Sequence, residues 1–254
     1  MDYPNHPATN DAGTRYGPGD PRSLPAFDLA LRDPWMMPVD AAFDTTGDAA
    51  AWFAALREGL ETAYLASDDP YEQSGTSSDA TSWERRRRPI VAAIHRDGAF
   101  LDVGCANGLL METAINWAAE DGYVIEPYGM DFSEKLAELA RRRYPHWAQR
   151  ISVGNALTWR PARRCDFVRS NLDCVPLPRW QDFVEHQLAH VVAPEGRLIV
   201  CDYGSSRRPA PRVQDLGSIL RAWGYQVAGE TSAADPNGVI VTRVAWIDAK
   251  QSEP

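Results

Sequence analysis

The hydrophobic period changes twice along the chain. Residues 1–45 show no period: seven of the 19 prolines fall within the first 40 positions, interleaved with Asp, Gly and Asn. That stretch reads as an irregular arm. From Asp48 onward, Trp52, Phe53, Leu56, Leu60, Ala63 and Tyr64 recur at three- and four-residue steps, which predicts an amphipathic helix over residues 48–66. A polar stretch over 67–78 leads to a second helical pattern over 81–95, with Trp83, Ile90, Val91 and Ile94 on one side. Pro89 is placed to kink or split that helix. Residues 46–98 thus form a helical segment ahead of the main domain.

From Ala99 strands alternate with helices. Strand-like runs lie at 100–104, at 129–131, at 151–153, and over 166–169, 197–201, 225–229 and 239–247. Helical patterns lie between them at 109–119, 133–143, 180–192 and 213–223, the last ending before Gly224. This succession predicts an α/β domain over 99–248, with a mostly parallel sheet and helices on both faces. The loop before the last strand, about nine residues, is too short for a crossover helix, so those two strands run antiparallel.

Composition narrows the function. Hydrophobic residues make up 44%, enough for a sizeable core. The 26 basic and 35 acidic residues leave a net charge of −9, of which −7 lies in residues 1–99. This argues against nonspecific binding to nucleic acid or an anionic membrane, and most strongly at the N-terminal segment. No apolar run approaches the ~20 residues of a membrane span. Met1-Asp2-Tyr3-Pro4 lacks the basic and apolar regions of a secretory signal. Cys105, Cys165, Cys174 and Cys201 form no C-x-x-C pair, which fits reduced thiols in a cytoplasmic protein rather than zinc or disulfides.

Three features carry ligand chemistry. Leu101-Asp102-Val103-Gly104-Cys105-Ala106-Asn107-Gly108 joins the first strand to the first helix, with small residues at 104, 106 and 108 where a ligand can approach the backbone. Leu109 stands where a dinucleotide loop has its third small residue. Asp131 ends the second strand, where a carboxylate can accept from both hydroxyls of a ribose or can cap the next helix. Gly154-Asn155-Ala156 follows the third strand, where Asn155 can accept from an exocyclic amine.

With Tyr128-Gly129-Met130-Asp131, the 166–171 strand end and Gly196-Arg197-Leu198-Ile199-Val200, these features make residues 99–248 resemble class I S-adenosylmethionine-dependent methyltransferases. The resemblance implies a seven-stranded sheet in the order 3-2-1-4-5-7-6 with the seventh strand antiparallel. It implies S-adenosyl-L-methionine as cofactor, with Asp102 and Gly104 near the methionine, Asp131 near the ribose and Asn155 near the adenine. Cys105, Ala106, Gly108, Phe132, Ala156, Asn171 and Tyr71 complete the implied cofactor set. Two departures stand out: Ala106 where the pattern most often has Gly, and Asn155 where it often has Asp.

The acceptor side is less legible. Open α/β sheets bind ligands at the carboxyl edge of the strands. This places Asp173, in the loop after strand four, as the candidate catalytic carboxylate, with Asp202-Tyr203-Gly204 beside it. No histidine falls at that edge; His6 is in the arm, and His95, His146, His186 and His190 are in or after helices. No Asp-Pro-Pro-Tyr or Asn-Pro-Pro-Tyr follows strand four. The helical segment 46–98 is expected to form a lid, with Tyr71 and Trp83 as its cofactor contacts. The run Arg85-Arg86-Arg87-Arg88 reads as a solvated face or a contact for an acidic acceptor or RNA; Arg141, Arg142 and Arg143 suit a helix C-terminus. The expected activity is methylation of oxygen or nitrogen on a small molecule. The alternatives are an RNA methyltransferase, a non-catalytic cofactor-binding protein and a nicotinamide-dependent oxidoreductase.

Overall fold

Alternation along each strand sorts the apolar residues onto two faces of one sheet. The computed structural model describes residues 16–75, 79–204 and 213–250; His6 and the first part of the arm lie outside the described residues, as does part of the polar stretch. The strands are β1 (Gly98–Val103), β2 (Ile125–Asp131), β3 (Ile151–Val153), β4 (Cys165–Asn171), β5 (Val192–Tyr203), β6 (Gly229–Ala234) and β7 (Ile240–Asp248). They form one sheet in the order β3-β2-β1-β4-β5-β7-β6, parallel except for β7, which runs antiparallel to both its neighbours.

Leu101, Val103, Val168, Leu198, Val200 and Ala245 face one core. They meet α2 (Ala49–Tyr64), α6 (Trp180–His190) and α7 (Leu216–Ala222) through Trp52, Phe53, Leu56, Phe183, Leu216 and Leu220. Phe100, Phe167, Ile199, Cys201 and Val244 face the other core, with Leu110, Ala114 and Trp117 of α4 (Leu109–Glu120) and Ile90 and Val91 of a 3₁₀ turn, Arg88–Ala93. α5 (Glu134–Arg143) packs Ala137 and Ala140 beside Met111 and Ile151.

Pro89 splits the second N-terminal helix as expected. α3 (Ala80–Arg87) ends at the 3₁₀ turn, where the proline occupies a first-turn position that needs no donor. α7 starts later than expected, capped by Asp215, and its closing Gly224 has φ +87°.

Two expectations are corrected. The arm 1–45 is not irregular throughout: α1 (Met37–Thr46) occupies its end and packs Val39 and Phe43 against the core. Pro38 looks like a breaker but sits in the first turn, where proline is tolerated. The sixth strand is β6, not 225–229. Its residues alternate between half-buried and exposed, so Glu230, Thr231 and Ser232 give a weak strand signal at a sheet edge. Tyr225 and Val227, which drew the expectation, pack on the core from a loop instead.

Candidate active site

The carboxyl ends of β1, β2, β4 and β5 and the N-terminal segment enclose a cavity of about 460 Å³. Its floor is built from Asp102, Gly104, Cys105, Ala106, Asp131, Phe132, Ala156, Asn171, Asp173 and Tyr203, and its roof includes Trp35, Met36, Phe53, Leu56, Leu60 and Tyr64.

The β1–α4 loop needs left-handed backbone at three points: Gly104 at φ +79°, Ala106 at +46° and Gly108 at +78°. Ala106 is therefore strained where the related pattern has glycine. The strain is held by Asp131, whose Oδ2 accepts the Ala106 N–H at 2.9 Å while its Oδ1 accepts the Ser133 N–H at 2.9 Å. Burial pushes the Asp131 carboxyl up to about 6, against the lowering effect of those two N–H groups. Asp131 is thus both the terminus of β2 and the clamp of the glycine loop. The α5 cap falls to Ser133, whose Oγ accepts the Leu136 N–H.

Asp102 lies opposite Arg169 in the β1–β4 register, and the pair forms a buried salt bridge at 2.8 Å. Burial raises the Asp102 carboxyl, and Arg169 opposes the rise. The other guanidinium nitrogen of Arg169 reaches Asn171 Oδ1 at 2.7 Å. Asp173 is ion-paired to Arg32 of the N-terminal segment, and Arg32 also holds Asp40 at 2.7 Å. Asp202, just behind, accepts the Gln214 N–H at 2.6 Å; desolvation pushes its carboxyl up to about 7, with Asp173 adding to the rise.

Three of the expected residues do not line the cavity. Gly108 is the N-cap of α4, where a Cβ would meet the Tyr144 ring at 3.0 Å. Asn155 uses its Oδ1 to accept the Leu157 N–H at 2.9 Å. Tyr71 stands edge-on to Trp83, with ring centres 6.1 Å apart, and it is Trp83 that lines the cavity. His95, His146, His186 and His190 are absent from the lining.

The arginine run is a solvated face only in part. Arg86 donates to the Gly204 carbonyl, Arg87 is buried against the cavity, and Arg88 pairs with Glu84 and Glu120. Sequence reasoning missed Arg32, Tyr64 and Arg169, and it named the basic run without singling out Arg87. A single buried arginine inside a basic run has no pattern of its own; the even spacing of Trp83 and Arg87, one helical turn apart, was the available signal.

The N-terminal segment is tied to the domain at several points. Asn107 Nδ2 donates to the Pro70 carbonyl at 2.7 Å and Arg143 donates to Gln73 Oε1 at 2.9 Å. Glu61 of α2 accepts from Ser133 Oγ at 2.6 Å and Lys135 Nζ at 2.7 Å.

Solved structures share this architecture. A 1,6-didemethyltoxoflavin N1-methyltransferase from Burkholderia thailandensis, with bound 1,6-didemethyltoxoflavin and S-adenosylhomocysteine, matches over 80% of this chain and 91% of its own, at 17% identity and a TM-score of 0.55. The fold is that of the class I methyltransferases. A chain from the complex of the Haloferax volcanii Trm112 methyltransferase activator with a methyltransferase matches over 85% of this chain and 99% of its own, at 15% identity and a TM-score of 0.50. The cyclase SpnF matches over 78% and 93%, at 13% identity and a TM-score of 0.51. No protein-family model and no curated protein matches the sequence. One methyltransferase fold thus serves reactions of different kinds, and the reaction of this chain has to be argued from its own site.

Proposed function

We propose that this chain is an S-adenosylmethionine-dependent methyltransferase that acts on a small-molecule acceptor. The observation that carries the reading is the carboxylate of Asp131, buried at the end of β2, clamping the Gly104–Ala106 turn and facing the cavity. An ionised carboxylate has about four lone-pair sites, and two are used by Ala106 and Ser133. The remainder suit the two hydroxyls of a ribose. Phe132 and Ala156 offer apolar walls beside it for a base, and Gly104 lets the backbone approach a chain that continues over β1. Asp102 is placed for an ammonium group there.

The cofactor, when bound, supplies an activated methyl group on a positively charged sulfur. The chain's own work is positioning. Phe53, Leu56, Leu60 and Tyr64 of α2, with Trp35 and Met36, form an apolar roof that excludes water and presses an acceptor toward the floor. We read residues 46–98, joined by the end of the arm, as the lid. A small acceptor is supported by this enclosure, and by the small substrate bound to the Burkholderia enzyme. The RNA alternative has less support, because Arg86 and Arg87 have internal contacts and Arg88 is paired with two surface glutamates. Asp173, the candidate catalytic carboxylate, is ion-paired to Arg32, which it shares with Asp40, so we read its role as holding the lid segment on the floor rather than taking a proton.

Calorimetric titration with S-adenosylmethionine tests the reading. Wild-type protein binds it, and Asp131→Ala weakens binding by about 2–3 kcal/mol, the scale of hydrogen bonds to a charged group. Absence of binding by the wild type refutes the proposal. A second reading, a cofactor-holding protein without methyl transfer, is favoured by the Arg32–Asp173 pair; turnover of any acceptor in a labelled-methyl screen removes it.

A further inference from the structure

Three polar atoms of cavity-lining residues are buried without a hydrogen-bond partner: Arg87 Nη1, Arg169 Nε and Tyr203 Oη. They belong to one stack. Arg87 Cζ lies 3.4 Å from the centre of the Tyr203 ring and 5.1 Å from that of Trp83, and Arg169 Cζ lies 5.2 Å from the same Tyr203 ring. Two guanidinium groups therefore flank one phenol. The acid nearest to them, Asp102, is bonded to Arg169 at 2.8 Å, and no acid is ion-paired with Arg87 among the described residues.

Such an arrangement is costly in an apolar core. Aromatic faces attract a guanidinium and fix its position, but they do not satisfy its N–H groups. Burial lowers the pKa of Arg87 and the charge of Arg169 adds to the fall, while the largest opposing influence is the Tyr203 phenol rather than a carboxylate. Arginine stays protonated all the same. The cluster of Arg87, Arg169 and Asp102 thus carries one positive charge in excess of its acid, and both arginines line the cavity. A planar carboxylate matches it: one negative charge, and two oxygens in the geometry of a guanidinium fork.

We propose that Arg87, clamped between Trp83 and Tyr203, is a carboxylate subsite that the N-terminal segment contributes to the cavity. Tyr203 is its positioning residue. Arg86 and Thr242 support the clamp, since Arg86 donates to the Gly204 carbonyl and Thr242 Oγ1 donates to the Arg86 carbonyl at 2.9 Å. The subsite rests on the function proposed above only for the source of the carboxylate. It belongs either to the amino-acid end of the cofactor or to an acid group on the acceptor.

The test compares wild type with Arg87→Met, Tyr203→Phe and Tyr203→Leu. Calorimetry uses S-adenosylhomocysteine, then 5′-methylthioadenosine, which lacks the amino-acid end. Benzoate, a carboxylate on an aromatic ring, is titrated into free protein and into the S-adenosylhomocysteine complex. If the cofactor supplies the carboxylate, Arg87→Met weakens S-adenosylhomocysteine by roughly 10- to 100-fold and leaves 5′-methylthioadenosine unchanged. If the acceptor supplies it, Arg87→Met leaves S-adenosylhomocysteine unchanged and abolishes benzoate binding. Tyr203→Phe keeps the ring and stays near wild type in either case, while Tyr203→Leu matches Arg87→Met. A second readout separates ligand binding from structure. Removing an unpaired buried charge leaves the melting temperature of the free protein equal or higher, whereas a structural arginine would lower it. Unchanged affinity of Arg87→Met for all three probes overturns the proposal. A wild type that binds neither nucleoside removes the cofactor reading, and loss of benzoate binding to free Arg87→Met protein still supports the subsite.

Discussion

Arg32 holds the N-terminal segment by a buried ion pair, and its removal has a calculable cost. Its side chain is 2% exposed and that of Asp40 is 7% exposed. Arg32 Nε and Nη2 donate to the two Asp40 oxygens at 2.7 and 3.2 Å, and Trp52 Nε1 donates to Oδ1 at 3.0 Å. In Arg32→Ala, Asp40 keeps only the indole N–H among these partners and remains buried. Removing one partner of such a pair costs about 3–5 kcal/mol. For a chain of this size that lowers the melting temperature by roughly 6–20 °C. The assay is urea denaturation of four proteins: wild type, Arg32→Ala, Asp40→Leu and the double variant Arg32→Met with Asp40→Leu. The double variant recovers most of the loss, because neither charge is left alone in the core. A cost below about 1 kcal/mol for Arg32→Ala, or a double variant no better than the single ones, would refute the reasoning.

Two other predictions follow from the glycine loop. Asp131 has a folded-state pKa of about 6, above its ordinary value, because burial disfavours its charge. The folded protein therefore binds the proton more tightly than the unfolded chain, and this carboxyl lowers stability as pH rises from about 4 to 6. Ribose hydroxyls donate best to the ionised form, so affinity for S-adenosylhomocysteine rises with pH up to about 6 and then levels off; calorimetry from pH 5 to 8 reads it, and Asp131→Asn flattens the profile. Gly108→Ala places a Cβ at φ +78° against the Tyr144 ring, so it costs about 1–2 kcal/mol in chemical denaturation. An unchanged denaturation midpoint would show that α4 can shift to absorb it.

The alternating period after Ala99 made the succession of strands and helices readable, and the short last connection made an antiparallel pair readable, whereas the strand order came from the family resemblance. The glycine loop and Asp131 were readable for a related reason: positive φ and a strand-end carboxylate demand particular residue types. α1 and β6 were not. In α1 a first-turn proline masks a helix, and in β6 an edge position relieves the need for apolar residues. The site itself was half legible. Gly108, Asn155 and Tyr71 sit beside the cavity lining rather than in it, because their side chains or backbone are spent on packing and turn bonds. Arg87 and Tyr203 meet there, and Arg32 reaches Asp173 of the lining, only through tertiary packing, and no local spacing records that.

A structure of the protein with S-adenosylhomocysteine tests the central claim most directly. The account predicts the ribose hydroxyls within hydrogen-bond distance of Asp131, the base against Phe132 and Ala156, and the sulfur over the Gly104 turn under the α2 roof. Density for the ligand elsewhere, or a ribose that makes no contact with Asp131, would contradict it.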